Sequence, residues 1–219
     1  MAMQRERLRR PALAVLAILA GFGACLQLWL SVRLAASNGQ SLGQGLVAYF
    51  GYFTVLTNIL VALTAAASLV ASPARLVRGP GSGSVRGCAT TAIVLVGIAY
   101  HLLLRHIWSP QGWQWIADIT LHYAVPLAAL ACWVAFPPRE RLPAWAPLAW
   151  CAYPVAYFVY ALVRGALIGS YPYPFIDVDQ LGYARALANA VGLLAGFIVL
   201  GFAVRAVAAV RSRAVATGA

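Results

Sequence analysis

Six stretches of this chain are apolar over close to the roughly 20 residues a helix needs to cross the hydrocarbon core of a bilayer. They run from about Pro11 to Ala36, Leu46 to Ala71, Cys88 to Leu104, Ile116 to Phe136, Trp145 to Val163, and Gly182 to Val204. Little of the 219-residue chain is left over for anything else. Charged residues make up 10% of it and hydrophobic ones 63%, with a mean hydropathy of +0.80. A soluble domain carries roughly 25% charged residues, and 21 such side chains cannot cover a soluble surface. The expected fold is an all-α six-transmembrane helix bundle over residues 11–204, between a basic N-terminus (1–10) and a basic tail (205–219).

All 16 basic residues are Arg, against five acids. Without Lys, Schiff-base chemistry, a phosphate-loop lysine and Ser-Lys catalysis are excluded. The arginines fall at the ends of the apolar stretches, so they read as orientation signals and not as a nucleic-acid surface. Twelve lie at one side: Arg5, Arg7, Arg9, Arg10, Arg75, Arg78, Arg86, Arg139, Arg141, Arg205, Arg211 and Arg213. With Glu6 and Glu140 they give that side a net +10. The other side holds Arg33, Arg105, Arg164 and Arg185 with Asp118, Asp177 and Asp179, a net +1. The positive-inside rule then puts both termini in the cytoplasm of a multi-pass plasma-membrane protein. The first stretch is too long for a signal peptide and is expected to stay as a span.

The connectors on the basic side, Ser72 to Gly87 and Pro137 to Pro143, are Gly, Pro and Arg-rich turns with no room for a catalytic domain. Trp108, Trp113, Trp115, Trp145 and Trp150 mark the interfaces. No internal repeat of the kind common in transporters is visible. Cys25, Cys88, Cys132 and Cys151 lack paired spacing and read as small hydrophobes, so neither a metal site nor a cofactor is expected.

Ionisable and polar residues within spans are costly and tend to be functional. At 1.5 Å per residue, Thr54 falls roughly 12 Å and His122 roughly 9 Å into their spans, both entering from the less charged side. His101 stands three residues from the end of the third span. Asp118 precedes His122 by four positions and Asn58 follows Thr54 by four, so each pair shares a helix face. A bland account exists for each. Threonine bonds back to its own helix, His and Asn glue helices together, and Asp118 faces interfacial water. His106, next to Arg105 and Trp108, reads as solvated. The segment Ser170-Tyr171-Pro172-Tyr173-Pro174-Phe175-Ile176-Asp177-Val178-Asp179 alternates Pro and Tyr, which favours an extended lid over the polar cluster. Its acids lack the Gly and terminal Glu of a calcium loop. Arg164 is a candidate partner for Asp177.

Three stretches in order resemble the androgen-induced protein family and its bacterial six-span relatives. Tyr52-Phe53-Thr54-Val55-Leu56-Thr57-Asn58 resembles that family's threonine segment. His122-Tyr123-Ala124-Val125-Pro126 is similar to its histidine element. Val163-Arg164-Gly165, followed by Tyr171-Pro172 and Asp177, is similar to its arginine-to-Tyr-Pro segment. The doubled Tyr-Pro and the Asp are departures. The resemblance covers roughly Leu46 to Leu181. It implies six spans and an intramembrane hydrolase of lipid esters, with fatty acid esters of hydroxy fatty acids as substrates drawn from the bilayer. It also implies Thr54 as nucleophile and His122 as the catalytic histidine. Asp118 would then orient His122, and Asn58, a Tyr hydroxyl or His101 would serve the oxyanion. Arg105 or Arg164 would bind a substrate carboxylate under a lid of Tyr171, Tyr173 and Asp177. Two other classes fit the same residues: a non-enzymatic binder or transporter of a hydrophobic ligand, and a haem protein using His101 and His122.

Overall fold

The computed structural model describes residues 2–70, 79–138 and 140–217, with side chains over 7–70, 79–138 and 140–210. Arg75, Arg78 and Arg139, the side chains of Arg5, Glu6, Arg211 and Arg213, and residues 72–78 of the Ser72 to Gly87 connector lie outside the described residues. Among the described residues the chain is helical, with no strand. The elements are α1 (Ala2–Ser37), α2 (Leu42–Phe50), α3 (Phe53–Val70), α4 (Gly83–Leu104), α5 (Trp113–Ala135), α6 (Ala146–Ile168) and α7 (Val178–Thr217), the last broken by a kink at Gly182 (φ 73°). All but α2 contain a stretch long and apolar enough to cross a membrane, six in total.

The second apolar stretch is not one helix. Its first part is the separate α2, which opens on a reciprocal cap between Ser41 and Gln44 and stops at Gly51. The chain bends there and α3 restarts at Phe53. An apolar run shows no seam where one helix ends and another begins. The expected start at Leu46 is therefore corrected to Phe53, and Thr54 moves from mid-span into the first turn of α3. The other spans differ from expectation by a few residues at their ends.

α1 packs along α3 and α2; α4 is central, meeting α3, α5 and α7. Close approach needs small residues, as is usual between helices that have no hydrophobic drive to associate in lipid. A Cβ on Gly97 would stand 3.1 Å from the His122 carbonyl oxygen of α5, and one on Gly87 would stand 2.6 Å from Trp150. Trp133, Phe197, Ile93 and Val125 fill the centre. Large apolar side chains also point outward, with Leu167 79%, Ile18 71% and Val199 69% exposed, an exterior suited to lipid. The end opposite the candidate site is tied by polar contacts. The Gly83 amide donates to the Glu140 carboxylate, and the Arg86 guanidinium donates to the Phe136 carbonyl (3.2 Å) and lies over Trp133.

α6 is fastened differently. Tyr153, Tyr157, Tyr160 and Arg164 recur at helical spacing and form one stripe. Tyr157 and Tyr160 donate to the carbonyls of Gly51 (3.0 Å) and Phe50 (3.3 Å), and Arg164 to that of Val47 (3.3 Å). These are carbonyls at the end of α2 that have no acceptor role within the helix. Tyr153 meets the Thr57 hydroxyl of α3 at 3.0 Å, and Phe53 packs against both Tyr153 and Tyr157. Arg164 crosses so close to Gly51 that any side chain there would collide with the guanidinium.

Candidate functional site

Between α3, α4, α6, α7 and the α6–α7 loop lies an apolar cavity of about 290 Å³. That is at the lower edge of the roughly 300–1,000 Å³ typical of small-molecule sites. Its wall is hydrocarbon, Leu95, Val155 and Leu194 among others, interrupted by the hydroxyl-bearing Thr54, Tyr100, Tyr157 and Tyr173. Thr54 carries the one aliphatic hydroxyl in this lining.

Thr54 is 7% exposed. As a first-turn residue, its amide has no carbonyl within the helix to bond. It donates instead to the Tyr173 hydroxyl at 3.2 Å, and the Thr54 and Tyr173 hydroxyl oxygens are 3.4 Å apart. Tyr173 reaches this point on extended backbone (φ −137°, ψ 140°), which the following Pro174 favours, and a single 3₁₀ turn (Pro174–Ile176) begins directly after it. Its ring stacks on Phe175 and meets Tyr52 edge-on. Burial pushes the Tyr173 phenol above its ordinary pKa, while its bonds to Thr54 pull it back down. The lid expected from the Tyr-Pro repeat thus has one of its tyrosines seated on Thr54.

His122 lies in a π turn of α5 (Thr120–Ala124), where the Val125 amide bonds the Thr120 carbonyl five residues back. Pro126, lacking an amide proton, deprives the ordinary ladder of its next donor. His122 Nδ1 is 3.0 Å from the Asp118 carbonyl oxygen and 3.2 Å from Asp118 Oδ1. Asp118 is 5% exposed and accepts the Tyr100 hydroxyl on Oδ2 at 2.7 Å. Tyr100 opens the π turn of α4 (Tyr100–Leu104) and stacks on the His122 ring, with centroids 3.8 Å apart and planes 12° from parallel. Two π turns, a form that recurs at functional sites, therefore face each other.

Thr54 and His122 are not hydrogen-bonded to one another; Thr54 meets Tyr173 and His122 meets Asp118. Their helices are in contact, but His122 is not part of the cavity lining that contains Thr54. The Asn58 amide nitrogen bridges the Thr54 carbonyl (2.8 Å) and the Leu121 carbonyl of α5 (3.4 Å). Asn58 Oδ1 and Asp118 Oδ1 are buried without hydrogen-bond partners among the described residues.

The remaining candidates divide. Both ring nitrogens of His101 are engaged, Nδ1 with the Tyr123 hydroxyl (3.3 Å) and Nε2 with Arg105 (3.0 Å). Arg105 also donates to His106 at 2.8 Å, and His106 is exposed in the loop after α4, as expected. Arg164 binds the Ser170 and Val47 carbonyls, not Asp177. Asp177 caps α7, accepting from the amides of Asp179 (3.1 Å) and Gln180 (3.2 Å). The expected Arg164–Asp177 pair is absent because the start of α7 offers that carboxylate free amides. The Tyr171 ring occupies the space a side chain at Gly165 would need. Sequence reasoning missed Tyr100 and the α6 tyrosine stripe. The stripe's spacing was readable, whereas the partner of Tyr100 is set by the cross-helix approach at Gly97.

The fold and the cavity define an all-helical protein with six helices fit to cross a membrane, compatible with a multi-pass membrane protein. No protein-family model, curated protein or solved structure matches the chain.

Proposed function

We propose that the protein is a multi-pass membrane hydrolase of lipid esters, of the fatty acid ester of hydroxy fatty acid type, with Thr54 as nucleophile. The observation that carries this reading is the position of Thr54: it brings the one aliphatic hydroxyl to the wall of a mostly apolar cavity large enough to seat part of an acyl chain. The resemblance in the threonine and histidine segments supports the same pair. The arginine distribution supports cytoplasmic termini and a site in the outer half of the plasma membrane.

In this mechanism His122 accepts the proton of the Thr54 hydroxyl as the oxygen attacks the ester carbonyl. The tetrahedral oxyanion is stabilised by first-turn amides of α3, the Thr54 amide among them. Its collapse breaks the ester bond, and the leaving alkoxide takes the proton from His122. Water, deprotonated by the same His122, then cleaves the acyl-Thr54 ester and returns the enzyme. Tyr173 accepts the Thr54 amide and covers its hydroxyl in the closed lid, so turnover requires the lid to withdraw. Arg105 or Arg164 binds the free carboxylate of the substrate.

The test is covalent labelling of the purified protein by a fluorophosphonate probe. Mass spectrometry is expected to find the adduct on Thr54, with Thr54→Ser retaining and Thr54→Ala losing it. Unchanged labelling of a folded Thr54→Ala variant refutes the assignment. A second reading, a non-catalytic binder of a hydrophobic ligand, draws on one observation: the Thr54 hydroxyl contacts Tyr173 and not His122. It predicts intact lipid co-purifying with protein that never labels.

A further inference from the structure

Tyr100 grips both members of the Asp118–His122 pair from a different helix. Its hydroxyl is on Asp118 Oδ2 at 2.7 Å and its ring lies flat on the imidazole. It is 5% exposed and forms part of the cavity wall, so it stands between the hydrocarbon space and the pair. Its backbone is fixed as well, because the Tyr100 carbonyl accepts the Arg105 amide at 2.9 Å to close the π turn. Tyr123 meets its ring edge-on.

We propose that Tyr100 is a positioning residue for His122: by holding Asp118 through its hydroxyl and the imidazole through its ring, it commits Nδ1–H to Asp118 and leaves Nε2 as the proton acceptor. The proposal rests on reading His122 as the base of the hydrolase. The argument begins at Asp118. Both groups beside His122 Nδ1, the Asp118 carbonyl and Oδ1, are acceptors while Asp118 is ionised, so Nδ1 carries the proton. Oδ1 has no hydrogen-bond partner of its own. The Tyr100 proton therefore supplies Asp118 with its one firm side-chain hydrogen bond in an apolar setting. Without it, only the 3.2 Å approach of the imidazole holds the carboxylate, which is then free to turn away from Nδ1. With Oδ1 turned away, the Nδ1–H form loses one of its two acceptors and the Nε2–H form becomes accessible. The ring then presents the wrong nitrogen for catalysis. Tyr100 acts through Asp118 and ring contact, not on substrate.

The experiment compares full-length wild type, Tyr100→Phe and Asp118→Asn in detergent, by NMR of ¹⁵N-histidine-labelled protein and by fluorophosphonate kinetics. His122 signals are assigned by their loss in His122→Gln. The wild type is expected to show the Nδ1–H tautomer and Tyr100→Phe a mixture. The maximal labelling rate is expected to fall about ten- to a hundred-fold, with the half-saturating probe concentration unchanged. Asp118→Asn reads the same clamp from its other side should Tyr100→Phe not fold. A purely structural Tyr100 shifts the melting temperature but moves neither the tautomer nor this split between rate and affinity. An unchanged His122 tautomer in both variants overturns the proposal, whether or not the protein labels. A changed tautomer in protein that never labels at Thr54 sustains the clamp and removes the hydrolase reading instead.

Discussion

Replacing Tyr173 by Phe tests whether the lid is held by one hydrogen bond to the start of α3. The substitution removes an oxygen and leaves the ring contacts to Phe175 (5.0 Å) and Tyr52 (5.7 Å), so no cavity forms. What is lost is the acceptor for the Thr54 amide at 3.2 Å, together with the 3.4 Å approach of the Thr54 hydroxyl. The amide is a buried first-turn donor with no helical partner, and leaving it unsatisfied costs about 1–3 kcal/mol. The hydroxyl pair lies beyond the 2.5–3.0 Å range of a good O–H···O bond and adds little. A double-mutant cycle with Thr54→Val separates the two, because the valine keeps the amide. The coupling energy is expected below about 0.5 kcal/mol, with Tyr173→Phe alone carrying most of the loss. Unfolding in mixed micelles, followed by tryptophan fluorescence, gives all four corners of the cycle. Because burial raises the Tyr173 phenol, the loss is expected to be constant below about pH 10. A Tyr173→Phe protein as stable as wild type, or a coupling equal to the whole effect, refutes the amide as the anchor.

Other substitutions probe the surroundings. Gly97→Ala sets a Cβ 3.1 Å from both the His122 carbonyl and the Pro126 ring, so α4 and α5 must part by a few tenths of an ångström. The expected result is a loss of about 1–3 kcal/mol and slower probe labelling. Gly165→Ala collides with the Tyr171 ring and is expected to expose the lid to limited proteolysis between α6 and α7. Tyr49 of α2 donates to the Ala24 carbonyl of α1 at 2.9 Å, and burial, with a smaller contribution from Cys25, pushes its pKa up to about 12. A raised phenol stabilises the fold below its unfolded pKa near 10 and loses that contribution as pH climbs toward 12. Alkaline unfolding is therefore expected to steepen in that window and to flatten in Tyr49→Phe.

The spans were legible because crossing a membrane imposes one requirement, length of apolar sequence, and six stretches met it. The break before Phe53 was not, since the helix on each side of Gly51 is equally apolar and the bend is stabilised by Tyr157, Tyr160 and Arg164 more than a hundred residues away. The pairing of Asp118 with His122 followed from spacing on one helix. Tyr100 did not, because contacts between helices depend on rotations that no single helix records. Asp177 was misread for a related reason: its charge suggested Arg164, whereas its position at the start of α7 gave it nearer donors.

The bend at Gly51 leaves carbonyls at the end of one helix and an amide at the start of the next within residues 47–54. α6 is moored to the carbonyls and the lid to the amide. These two elements also border the cavity. Lid and α6 thus hang from a common hinge pin, and work done on one is felt by the other. By reciprocity, a ligand that eases Tyr173 off Thr54 and changes the hold on α6 must, to the same degree, have its own affinity changed by whatever loosens α6. α6 is the least buried of the six candidate spans, so in a bilayer lateral pressure and thickness would become inputs to how readily the lid lifts.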